Sequence, residues 1–220
     1  MSSKYVIAID GPSGVGKTST SKMVAEKLGY FYVDTGALYR AIALKTLQAS
    51  IKPQDLEGLK KMLGNLEMRI ASKKDRMRVI IDGKDVTGSL RTKEVTERSS
   101  RIAAIREVRE FLIGIQRQAG AEGGVVMEGR DIGTVIFPDT KYKFFLDASI
   151  EERARRRYRE LKNGGVEATL AEIRDSIEKR DRRDTARETN PLKKASDARV
   201  IDSTKMSIEE VVNCITSIIK

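Results

Sequence analysis

The eight residues Gly11-Pro12-Ser13-Gly14-Val15-Gly16-Lys17-Thr18 limit what this chain can become more than any other stretch. Their spacing, Gly-x-x-x-x-Gly-Lys-Ser/Thr, is that of a phosphate-binding loop. The apolar run from Tyr5 to Asp10 leads into it and reads as a buried strand, and Ser19 to Leu28 follows as a helix. Glycines let successive backbone N–H groups turn inward around phosphate oxygens. The helix N-terminus adds partial positive charge. Lys17 is placed to reach the β- and γ-phosphates, and the Thr18 hydroxyl to ligate magnesium. The segment predicts a nucleoside triphosphate site and leaves the use of the triphosphate open.

The 220 residues suit one α/β domain with an inserted or mobile piece, and 40% hydrophobic residues suffice for a core. No apolar stretch approaches the roughly 18 residues of a membrane span. The first apolar run is already a strand, so no signal peptide is expected, and a cytoplasmic protein is. The one cysteine, Cys214, lies in an apolar helical pattern with Val211, Val212, Ile215 and Ile218 and reads as a buried core thiol. There is no histidine, which removes a Ser-His-Asp triad and, with a single cysteine, a structural zinc site. Chemistry is left to Lys, Arg, Asp, Glu, Ser and Thr, a set suited to phosphoryl transfer. A net charge of +10 fits either a nucleic-acid surface or a pocket for several phosphates.

Further strands are expected at Tyr30–Asp34, Gly124–Glu128, Tyr142–Asp147 and Ala198–Asp202, giving five core strands with helices between. Thr35-Gly36 reads as a break before a helix over Ala37–Leu44, and another helix is expected near Leu56–Leu63. Asp10, Asp34, Glu128, Asp147 and Asp202 all fall at strand carboxyl ends, where such sheets bind ligands. Between these strands the texture changes. Leu66, Met68 and Ile70 alternate with polar residues, as do Met77, Val79 and Ile81; Lys73-Lys74-Asp75 reads as a turn and Asp82-Gly83 as a two-residue hairpin. Residues of about 64–100 thus read as an antiparallel insert, followed by one helix from about Thr92 to Ala119.

Arginines gather after the Tyr142–Asp147 strand. Arg153, Arg156 and Arg157 share a helical face, Gly164-Gly165 interrupts, and Arg180, Asp184 and Arg187 form a second stripe. The glycine pair suggests a lid. Arginine forks match phosphate oxygens, and the interleaved carboxylates weaken any continuous field for a polyanion, so a phosphate clamp is favoured over a nucleic-acid surface or a merely solvated face. Gly129-Arg130-Asp131-Ile132-Gly133-Thr134 presents a second Arg-Asp pair at a strand end.

Taken together these segments resemble the bacterial cytidylate kinases. The resemblance is carried by Ile9–Lys17, Asp34-Thr35-Gly36-Ala37-Leu38-Tyr39-Arg40, Gly129–Asp139, Phe145-Leu146-Asp147-Ala148-Ser149, Glu152-Arg153 with Arg156-Arg157, and Lys179-Arg180-Asp181 with Asp184 and Arg187. It extends over nearly the whole chain. It implies a P-loop nucleoside monophosphate kinase fold: a five-stranded parallel sheet with helices on both faces, a short lid and an inserted small antiparallel β subdomain. As one kinase domain over 1–220, the core would be 1–63 and 120–220, the monophosphate-binding insert about 64–100 and the lid about 151–167. Thr35, Arg40 and Arg130 would meet the acceptor's phosphate side. Ser100, Arg109 and Asp131 would read cytosine; Arg180 and Asp184 would contact the sugar, with Arg187 nearby; Arg153 and Arg157 would close over the triphosphate. Glu128 stands where the family often has aspartate, Ile136 where it often has valine, and Thr18 where some members have glycine.

The expected reaction is transfer from ATP, with Mg2+, to CMP or dCMP, by a monomer needing no nucleic acid and no membrane. Lys17, Arg130, Arg153, Arg157 and Arg180 are the residues expected to offset charge on the transferring group. A kinase for a hydroxyl acceptor, of the shikimate type, is the nearest alternative and would need a base. A nucleic-acid-dependent ATPase is another, and a GTPase switch lacks its Asn-Lys-x-Asp motif.

Overall fold

The computed structural model describes residues 4–73 and 76–219. Its main sheet is parallel, built from β1 (Val6–Asp10), β2 (Phe31–Asp34), β6 (Val125–Gly129), β7 (Tyr142–Asp147) and β8 (Arg199–Asp202), in the order β2-β6-β1-β7-β8. Every residue of β1 and of β6 is buried, as strands covered on both faces must be. The register sets Asp10 beside Gly129, Asp34 beside Glu128 and Asp147 beside Asp202. The strand-end carboxylates therefore share one edge of the sheet.

Helices α1 (Lys17–Leu28) and α8 (Ile208–Ile218) bury Val24, Val211 and Ile215 with Ile7, Ile9, Val126, Phe144 and Leu146. Cys214 packs at this cluster's margin, half-buried rather than fully buried as its pattern suggests. A second core joins α2 (Thr35–Gln48), α3 (Leu56–Gly64), α4 (Lys93–Ile102) and α5 (Arg106–Gly120) to a small antiparallel sheet of β3 (Met68–Lys73), β4 (Arg76–Ile81) and β5 (Lys84–Asp85). Asp82 and Gly83 both take positive φ, 48° and 76°, which the two-residue turn between β4 and β5 demands. Of the expected Lys73-Lys74-Asp75 turn, Lys74 and Asp75 lie outside the described residues. A third, small cluster of Ala154, Ile173 and Ile177 joins α6 (Ile150–Asn163) to α7 (Leu170–Ala186), with Gly164 and Gly165 between them.

Two boundaries differ from the sequence reading. The break expected at Thr35-Gly36 is absent: α2 starts at Thr35, because the Asp34 carboxylate accepts from Ala37 N–H at 3.1 Å and caps it. The single helix expected from Thr92 to Ala119 is two. The chain turns at 103–105, where Arg109 Nη1 donates to the Ala103 carbonyl at 2.9 Å and satisfies the end of α4. Among the described residues no helix is long and apolar enough to cross a membrane.

Candidate active site

The phosphate loop leaves β1 at Asp10 and enters α1 at Lys17. Gly11 has φ 153°, and a Cβ there would stand 2.3 Å from the Leu146 carbonyl oxygen. Gly16, at φ 95°, caps α1 in a left-handed conformation without any side-chain cap, which leaves the helix N-terminus facing the loop. Lys17 is buried and folds back, its Nζ donating to the carbonyls of Gly11 (2.8 Å) and Pro12 (2.6 Å). Burial pushes the ammonium well below the ordinary lysine value, and Arg130 adds to the depression while Glu128 opposes it.

Asp10 fixes the loop that follows β6. Its carboxylate accepts from Ile132 N–H (3.0 Å) and Gly133 N–H (2.8 Å), holding the π-helical turn Ile132–Ile136 against β1. Burial raises this carboxyl from 3.8 to about 6, against the pull of those two amides. Because the folded value lies above the unfolded one, the stabilisation is complete below pH 3.8 and is lost as pH rises through about 6. Asp10→Asn stays neutral and should lack this dependence. Between about pH 4 and pH 7, wild-type unfolding free energy from urea titration should fall by up to about 3 kcal/mol more than the variant's; parallel pH profiles would contradict this account of Asp10.

Next to these loops five arginines, Arg40, Arg109, Arg130, Arg180 and Arg187, face three aspartates, Asp34, Asp131 and Asp184. Arg40 binds Asp34 at 2.7 Å, and Arg91 of the insert side lies 3.8 Å from the same carboxylate. Arg130 Nε donates to Asp184 at 2.8 Å and its Nη1 to the Gly129 carbonyl at 3.1 Å. Asp131 accepts from Arg109 at 2.5 Å and lies 3.8 Å from Arg187, and all three side chains are buried. Thr35 Oγ1 donates to the Glu128 carbonyl at 2.7 Å. The excess of cations leaves a mark on Arg180, whose burial and whose neighbour Arg130 lower it to about 10. Burial works against charge on Arg130 too, but Asp184 outweighs it and holds Arg130 above its ordinary value. Asp184, despite its own burial, is held below the usual carboxylate range by Arg130 and Arg180. Buried polar atoms of Arg40 (Nε), Ser100 (Oγ), Arg109 (Nε), Arg180 (Nε) and Arg187 (Nη2) have no hydrogen-bond partner. Orphaned donors around a net positive pocket are what an anionic, hydrogen-bonding ligand would satisfy.

The three arginines given one face by spacing are divided here. Arg153 is buried: it pairs with Asp181, donates to the Ser13 carbonyl (2.9 Å) and, through Nε, to the Ala148 carbonyl (3.0 Å). Ser13 N–H in turn donates to Asp181 at 2.9 Å. Arg156 donates to the carbonyls of Val15 (3.2 Å) and Ser203 (2.5 Å). Arg157 instead turns outward to Glu160 at 2.7 Å. Asp181 and Arg156 carry structural duties at the loop that residue spacing alone did not assign, although both stand inside the segments that carry the resemblance.

Glu128 is buried at the end of β6 and accepts from the Tyr32 hydroxyl, with Thr18 beside the same pair. Burial and then Asp34 push the Glu128 carboxyl up. Hydroxyl and carboxylate oxygens of this kind suit a hard divalent cation. Among the described residues no cluster of three acidic, His or Cys side chains forms a cage for one.

Comparison with known proteins places the chain in a family. A family model described as cytidylate kinase matches residues 7–220. A cytidylate kinase from Citrifermentans bemidjiense is 49% identical over 98% of this chain and 92% of its own length. One from Desulfitobacterium hafniense is 48% identical over 99% and 94%. Among solved structures, an uncharacterized protein from Eubacterium ventriosum shares the fold at a TM-score of 0.53, with 16% identity over 98% of both chains.

Proposed function

The chain belongs to the cytidylate kinase family, and from that premise we propose how its own side chains divide the work. The enzyme transfers the γ-phosphate of ATP to CMP or dCMP, giving ADP and CDP or dCDP. The observation that carries the assignment of residues is the buried Arg109–Asp131–Arg187 group with its unpartnered donors, set beside the phosphate loop.

An oxygen of the acceptor phosphate attacks the γ-phosphorus, and the bond from that phosphorus to the bridging oxygen of ADP breaks. A phosphate monoester has a second pKa of about 6, so near neutral pH the attacking oxygen already lacks its proton and no base is required. The obstacle is repulsion between anions. Gly11, Pro12, Ser13, Gly14, Val15 and Gly16 cradle the donor phosphates, and Lys17 leaves the Gly11 and Pro12 carbonyls to meet the β- and γ-phosphates. Thr35, Arg40 and Arg130 hold the acceptor phosphate. Arg180, with its lowered affinity for the proton and its unpartnered Nε, adds a cation at the transferring group and bonds the sugar together with Asp184, Arg187 lying nearby. Asp131 accepts from the cytosine amino group, while Arg109 and Ser100 donate to ring acceptors.

Mg2+ fits beside Thr18, with Glu128 and its Tyr32 partner bordering the same spot. When bound it neutralises charge on the β- and γ-phosphates. We further assign residues of about 64–100 as the acceptor-binding insert and about 151–167 as a lid. On closure Arg157 would exchange Glu160 for the triphosphate, while Arg153 holds the base of the lid to the phosphate loop. We further propose a monomer; ATP and nucleoside monophosphates as substrates support a cytoplasmic setting.

The base-free mechanism is tested by a pH–rate profile with CMP and with an acceptor whose phosphate has a lower second pKa. The rate should plateau above the acceptor's own second pKa, about 6 for CMP, and the acidic limb should move with the analogue. An acidic limb that stays in place would implicate a protein base and return the hydroxyl-acceptor chemistry to contention.

A further inference from the structure

We propose that Tyr39 is a positioning residue for Arg109, and through it for discrimination of the acceptor base; the proposal rests on the assignment of Arg109 and Asp131 to cytosine. Arg109 is 1% exposed, and two of its in-plane donors are committed, Nη1 to the Ala103 carbonyl (2.9 Å) and Nη2 to Asp131 (2.5 Å). Its Nε has no partner. Those two hydrogen bonds act in the guanidinium plane and leave its tilt out of that plane to other contacts. The Tyr39 ring closes off this tilt. The guanidinium carbon lies 5.4 Å from the ring centroid, within cation–π range. The Tyr39 hydroxyl lies beside the Gln116 side-chain amide. Gln116 is also 1% exposed and donates through Nε2 to the Leu112 carbonyl at 3.0 Å. Burial raises the phenol to about 12, so it stays a neutral ring face against a cation and does not become an ion-pair partner.

Tyr39 precedes Arg40 on α2. The helix that brings Arg40 to Asp34 for the acceptor's phosphate thus also sets the support under the arginine that meets its base. The proposed effect of Tyr39 runs through the orientation of Arg109.

The test compares kcat/KM for CMP and UMP, and KM for ATP, in Tyr39→Phe, Tyr39→Leu, Tyr39→Met and Arg109→Met. Removing the ring in Tyr39→Leu should raise KM for CMP and narrow the CMP:UMP ratio about tenfold. KM for ATP should stay at the wild-type value. Tyr39→Phe keeps the ring face and should remain within about threefold of wild type on every measure. Tyr39→Met puts a longer, unbranched and more adaptable apolar chain there without a π face and should behave as the leucine variant does, so the test stands if leucine does not fold. If Arg109→Met collapses the CMP:UMP ratio while folded Tyr39→Leu and Tyr39→Met retain it, the positioning role is overturned and the base assignment survives. If Arg109→Met also leaves the ratio untouched, the base assignment itself is wrong and the proposal falls with it.

Discussion

Lys17→Ala should lower kcat roughly a thousandfold while leaving the circular dichroism spectrum and KM for CMP unchanged. The size follows from where the ammonium stands. It is buried, held on the Gly11 and Pro12 carbonyls, and depressed by burial and by Arg130. A cation desolvated in advance interacts strongly with charge that develops on the transferring phosphoryl group, and loss of one such group costs about a hundred- to a thousandfold. The lowered proton affinity of the folded lysine offsets part of what the variant loses with its two carbonyl bonds, so the fold should survive the change. Rapid-quench or coupled turnover, paired with thermal unfolding, reads both. Activity within a few-fold of wild type would put the triphosphate somewhere else.

Asp131→Ala should be the most destabilising change in the acceptor pocket. Arg109 would keep one hydrogen bond, to the Ala103 carbonyl, besides the Tyr39 ring, and Arg187 the Asn190 carbonyl (2.7 Å) with Asp184 at 3.9 Å. Stranding buried cations in this way costs about 3–5 kcal/mol, readable as a shift in urea midpoint. Asp131→Asn keeps the shape and one acceptor and should cost less. If alanine and asparagine are equally mild, the arginines find water or other partners and the pocket is more open than its burial implies.

Much of this site is legible in the sequence because its signals are local. The phosphate loop carries its glycines, lysine and flanking elements within some twenty residues, and Asp82-Gly83 declares its turn through the positive φ both residues adopt. What is not legible depends on partners far along the chain. Nothing in Ala103-Ala104-Ile105 marks a break, since neither glycine nor proline is there; the break is held by Arg109, a residue of the next helix. Helical spacing puts Arg153, Arg156 and Arg157 together, but Ser13, Asp181, Val15 and Ser203 decide that two of them serve the loop while the third faces outward. Asp34 reads as the end of a strand, and its second duty as a helix cap emerges only when Ala37 N–H is seen to need an acceptor. Tyr39 is visible inside a motif, yet its contact with Arg109 joins α2 to α5 and leaves no trace in either segment alone.

In the proposed division of work Asp131 reads the base and Asp184 the sugar, each fixed by a different arginine, Arg109 in one case and Arg130 in the other. Cytosine offers an amino donor where uracil offers an acceptor, so a buried carboxylate facing that position is left unpaired by UMP. The direct measurement is kcat/KM for CMP, dCMP and UMP, by coupled ADP release, in wild type, Asp131→Asn and Asp184→Ala. Wild type should prefer CMP and dCMP strongly. Asp131→Asn should narrow the CMP:UMP ratio roughly ten- to a hundredfold, the worth of one hydrogen bond to a charged group, while Asp184→Ala should lower efficiency on CMP and UMP together and leave their ratio alone. A CMP:UMP ratio untouched by Asp131→Asn and collapsed by Asp184→Ala would show that the base and the sugar sit the other way round.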